Sequence, residues 1–128
     1  MNNNFEYYIG DTYTRDFTIL GYSAEISNVF FTIKKSDNDK RYVLQKTLDD
    51  GITLTDVVYD DNGNIVSRTY NILINANDTE DLKPDYEYSY DIEIVTPGAT
   101  AEDEDIKKTI IKGIFKVNNA TTRVYNES

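Results

Sequence analysis

Asp60, Asn62 and Asn64 alternate through a polar run, the spacing with which a calcium loop begins. Such a loop then requires Gly where this chain has Ile65 and Glu where it has Asn71, and both are missing. Asn62-Gly63 offers a competing reading as a type I′ hairpin turn, because both residues accept positive φ. The hairpin is the better reading. A second acidic run, Glu102 to Asp105 within the loop 101–105, could hold a cation, but a solvated charge run explains it more simply. Glu87, Asp91 and Glu93 share one strand face. Acid–base catalysis needs two carboxylates in unlike environments within a cleft, and a regular strand face is flat and wet.

The chain has no His and no Cys. That removes the commonest general base, the commonest metal ligand, and every thiol nucleophile, thiolate site and disulfide. The glycines are scattered, so no phosphate-cradling loop is formed. No catalytic residue, metal or cofactor is expected. A net charge of −10 disfavours a chain that clasps nucleic acid, which demands phosphate-neutralising Lys and Arg. No apolar run is long enough for a membrane helix, and the first residues lack the features of a secretion signal. A soluble chain is expected.

A contact surface is the more promising chemistry. The stretch 107–117 alternates, with Thr109, Ile111, Gly113, Phe115 and Val117 on one face. Lys108, Ile110, Lys112, Ile114 and Lys116 take the other. Apolar residues between lysines on an outer strand face suggest a protein interface, unless a loop or tail covers them. Phe30 is a further candidate, since residues 29–35 put Val29, Phe31 and Ile33 on one face and Phe30, Thr32 and Lys34 on the other.

Strands must position these groups. The clearest lies in 82–95, where Tyr86, Tyr88, Tyr90, Ile92 and Ile94 alternate with Glu87, Ser89, Asp91 and Glu93, the period of a half-buried antiparallel strand. Pro84 and Asp85 bend the chain just before it. This approach resembles the tyrosine corner of immunoglobulin-like and fibronectin type III sandwiches, with Tyr88 bonding back to the backbone and Leu82 beneath it. The simpler alternative is a strand that follows a proline turn. Further strands are expected at 5–9, 12–20, 42–48, 52–59 (Ile52 and Leu54 its core members) and 65–74, and a helical turn at 77–81 capped by Asp78. If the strands at 82–95 and 107–117 pair, Lys108 and Lys112 would lie near Glu93 and Asp91. One domain spanning 1–128 is expected: an all-β, immunoglobulin-like antiparallel β-sandwich of about seven to eight strands. Short polar tails at 1–4 and 118–128 would flank it.

The ordered motifs resemble a family. Gly10-Asp11-Thr12 precedes Phe17-Thr18-Ile19, and residues 29–35 read Val-x-Phe-Thr-Ile-Lys-Lys. Residues 46–52 read Lys-Thr-x-Asp-Asp-Gly-Ile, Asp78 and Thr79 lead to Leu82 and Pro84, and residues 109–117 read Thr-Ile-x-x-Gly-x-Phe-x-Val. In this order the set is similar to the N-terminal immunoglobulin-like domain of phage baseplate upper proteins and to small phage virion structural proteins. Asp85 stands where the family's corner has Gly, and a module without a following fibre or receptor-binding region is expected. The resemblance implies a non-catalytic virion module made in the cytoplasm of a bacterial host, and the departure from the family pattern leads to the expectation that it stands alone. It would dock on other virion proteins in the tail, baseplate or neck, and possibly on itself as an oligomer. Decoration of the capsid is the alternative, and a carbohydrate- or receptor-binding adhesin domain a further one.

Overall fold

Alternation of apolar and polar residues decides the strands. In the computed structural model, which describes residues 4–118, they are β1 (Phe5–Tyr8), β2 (Tyr13–Leu20), β3 (Asn28–Lys34), β4 (Leu44–Leu48), β5 (Gly51–Tyr59), β6 (Ile65–Ile74), β7 (Tyr86–Thr96) and β8 (Ile106–Asn118). A 3-10 turn at Ala76–Thr79 is the one helical element among the described residues, none of which forms a helix long and apolar enough to cross a membrane.

Hydrogen bonding runs continuously in the order β1-β8-β7-β3-β4-β5-β6-β2. The run folds over between β4 and β5, which are joined only by Thr47↔Gly51 and Leu48↔Ile52. This gives one layer of β1-β8-β7-β3-β4 and another of β2-β6-β5, an immunoglobulin-like sandwich. Pairing is antiparallel except at β4–β5 and at β1, which runs parallel to β8.

The core lies between the layers. Phe31, Ile33, Ile92, Ile94, Phe115 and Val117 come from one side, and Ile52, Tyr70, Ile72 and Ile74 from the other. Burying each such side chain contributes roughly 1.5–3 kcal/mol. Leu54 departs from expectation and is 43% exposed. Leu54 still pairs in register with the buried Tyr70, but β5 meets β4 only at Gly51 and Ile52, so beyond Ile52 it runs as an edge strand with most of its side chains open to solvent.

The corner before β7 is closed by Tyr88, whose buried hydroxyl accepts a hydrogen bond from the Lys83 N–H at 2.8 Å. Leu82 is buried and Pro84 exposed. Asp85 takes φ 59°, the left-handed conformation that Gly provides more cheaply and that Asp tolerates. The 3-10 turn is capped differently from expectation. Asn75 is its N-cap, and Asp78 reaches back to accept from the Asn75 N–H at 2.7 Å. Within the expected tails, Asn4 is tied down by its side-chain oxygen, which accepts from the Ile114 N–H, and Asn118 closes β8. The remaining tail positions lie outside the described residues.

Candidate interaction face

The β5–β6 connection is a turn built on Asp60. Its carboxylate accepts from the N–H groups of Asn62 and Asn64, both at 2.9 Å. The Asn64 bond leads in holding the carboxyl below its ordinary range, with that of Asn62 adding to it. Gly63 takes φ 81° while Asn62 stays negative, so the turn is not the type I′ turn expected. The Asp60 carboxylate stabilises a wider loop, with Gly63 donating to the Asp60 carbonyl. Among the described residues, no three carboxylates come together as metal ligands. The acidic loop is bonded within itself, Asp103 accepting from the Thr100 N–H and Asp105 from the Gly98 N–H.

The outer face of the larger layer is organised by register. Phe30 stands between Thr47 and Glu93, Thr32 between Gln45 and Asp91, and Lys34 opposite Ser89. On β8, Lys112 lies opposite Asp91, Ile114 opposite Ser89 and Lys116 opposite Glu87, with Glu6 of β1 on the far side of Lys116. Four of the six expected interface residues, Phe30, Lys112, Ile114 and Lys116, therefore share this face.

Lys108 and Ile110 do not. A register shift sets Ile92 opposite Ile111 but Glu93 opposite Thr109, leaving Ile110 as the extra residue. One inserted residue reverses the facing of everything beyond it. Lys108 consequently lies opposite Ile94, not near Glu93, and Ile110 packs against the core. Lys107 takes the outward place instead.

Phe30, Thr32 and Gln45 floor a groove of about 350 Å³ on this face. Gln45 donates to the Thr32 hydroxyl at 3.1 Å. Lys40 and Tyr42, from the β3–β4 connection, line it with Asp91, Glu93 and Lys107. Asp37 of the same connection reaches Lys112 at 3.0 Å in an exposed ion pair. Asp91 and Glu93, two residues apart on one strand, are spaced by about 7 Å. They alternate with lysines across an open surface. The arrangement suits recognition: a half-buried aromatic ring surrounded by fixed charges of both signs. Phe30 was legible in the alternation of β3. Lys40 belongs to a loop with no periodic signal, Tyr42 was expected to open a strand at 42–48 but lies in the connection before β4, and the bulge concealed Lys107.

No protein-family model matches the chain, and no curated protein matches it in sequence.

Proposed function

We propose that this chain is a structural component of a phage virion, an immunoglobulin-like module that docks on other virion proteins in the tail, baseplate or neck. The observation that carries the reading is the outer face of the β1-β8-β7-β3-β4 layer. There Phe30 lies half-buried in a groove edged by Tyr42, Asp91, Glu93 and Lys107, with Lys112, Ile114 and Lys116 beside it. The resemblance of the ordered motifs to those of phage baseplate domains supports the same reading. Docking is by a preformed surface, since the face rests on five paired strands and loses little conformational freedom on binding. Its lysines make it less acidic than the chain's −10 charge would imply. A basic neighbour would therefore be met by the rest of the surface, where it speeds encounter.

The test is incorporation into particles. Gradient-purified virions from a host expressing the tagged chain should carry it, and Phe30→Asp with Glu93→Lys should leave it free in the lysate. Localisation on heads instead of tails would favour the capsid-decoration alternative. The groove's aromatic residues and carboxylates also suit a sugar, so a glycan array is run in parallel. Glycan binding without particle association would sink the docking reading.

A further inference from the structure

Two strand edges border the same side of the sandwich with backbone groups that no strand among the described residues pairs. β1 meets β8 only at Phe115, Lys116, Val117 and Asn118, leaving the outer edge of β8 from Ile106 to Gly113 open. In the other layer, β2 pairs with β6 alone. Gly21 donates its N–H to the Val66 carbonyl. The alternation of an antiparallel ladder then turns the N–H and C=O groups of Thr14, Asp16, Thr18 and Leu20 towards the open edge.

The two edges differ in protection. That of β8 is blunted by its bulge and by Lys107, Lys108 and Lys112, devices that keep other strands away. That of β2 runs regularly for eight residues with no bulge, Pro or Lys. Between them lies a slot of about 250 Å³ lined by Ile19, Leu20, Tyr22, Ile94, Ile110 and Ile111, with Lys108 also on its lining. Leu20 is 76% exposed there.

We propose that the β2 edge takes up an extended segment of a second protein as an added strand. Alternate apolar side chains of that segment enter the slot, and a carboxylate meets Lys108. Backbone bonds supply affinity and the slot supplies selectivity, as in other cases of strand addition. A second copy of this chain fits less well. Antiparallel self-pairing of β2 centres on one residue and its counterpart, and centring on Arg15 or Asp16 sets like charges opposite. The inward side chains of that copy are already in its own core, so the slot would stay empty. Each copy also carries −10. The site is independent of the outer-face reading and stands or falls separately.

The test uses the full chain with Val-Thr-Val-Thr-Glu-Thr-Val, in which the Val and Glu side chains share the slot-facing side, joined to its N-terminus by a flexible Gly-Ser linker, which raises the local concentration of the strand. Amide exchange is followed by NMR. The amides of Thr14, Asp16, Thr18 and Leu20 should exchange freely in the untethered chain and slow by about 100-fold in the tethered one. Thr18→Pro removes an edge-facing N–H and spares the β2–β6 bonds, so it should abolish the slowing while the fold persists. Asp16→Pro does the same at a second position. A tether with Lys replacing Glu should protect roughly tenfold less. Absence of slowing, slowing that survives both prolines, or equal protection by the two tethers overturns the proposal. Protection in the untethered monomer means that the chain covers its own edge, and protection that rises with a two-copy mass assigns the edge to self-association. Either result also overturns it.

Discussion

The Lys46 ammonium lies 2.7 Å from the Asp78 carboxylate and ties the edge of one layer to the 3-10 turn beside the other. Lys46 pairs with the core residue Phe31 in the β3–β4 ladder, so its side chain runs inward at the sandwich edge. Asp78 uses the same carboxylate to accept from the Asn75 N–H. One group thus joins an ion pair to a helical cap.

This pair makes stability sensitive to acid. Burial is the largest single influence on Asp78 and raises its pKa. The Lys46 hydrogen bond, the Asn75 N–H and the Lys46 charge together outweigh it, so the carboxyl sits below its ordinary value. A carboxyl depressed in the folded state stabilises the fold above its unfolded pKa, and that contribution is lost as pH falls through the folded value. Urea midpoints measured from pH 7 downwards should therefore drop below about pH 4. Asp78→Asn should lose about 1 kcal/mol at neutral pH and show a flatter acid limb.

Gly51→Ala should be costly for two reasons. Gly51 holds φ 101°, which an L side chain rarely adopts, and an added Cβ would stand 2.4 Å from the Lys46 Cδ. A loss of about 1–3 kcal/mol is expected in denaturant titration. Because relief requires Lys46 to move, Gly51→Ala and Asp78→Asn should be less than additive. Full additivity would mean that Lys46 keeps its pair despite the clash.

Tyr88→Phe should keep the fold and cost about 1–2 kcal/mol, because the Lys83 N–H loses its acceptor at the corner. Chemical denaturation with an unchanged m-value would check this. A cost near zero would show that solvent satisfies the Lys83 amide equally well.

Ile110→Ser and Ile114→Ser should separate. Ile110 packs against the core, and its truncation should cost about 1–2 kcal/mol. Ile114 is exposed on the outer face, and its change should remain within about 0.5 kcal/mol while weakening particle association. Equal thermal shifts for the two variants would contradict the bulge.

Much of the fold could be read from local pattern. The alternation at Val29 to Lys34 and at Tyr88 to Ile94 places those side chains inside or outside without any knowledge of neighbours. The Leu82-x-Pro84-Asp85 approach marked the corner, and Asp85 accepts the positive φ it requires. On β8 the interface face was legible only on the C-terminal side of the bulge. Nothing in Lys108-Thr109-Ile110-Ile111 signals where a residue is inserted, because a bulge is defined by the register of its partner strand. Leu54 was misplaced because β5 becomes an edge strand beyond Ile52, which its own alternation does not show.

Residue order by itself determined the all-β class, the strand alternation and the chemistry closed to a chain without His or Cys. It could do so because propensity, facing and residue type are properties of short stretches. Tertiary structure alone decided that Lys46 meets Asp78, that Lys107 replaces Lys108 on the outer face, and that no strand among the described residues covers the β2 edge above an apolar slot. Each of these depends on which distant strand lies alongside and in what register, and pairing of that kind is settled only when the whole sandwich closes on its core.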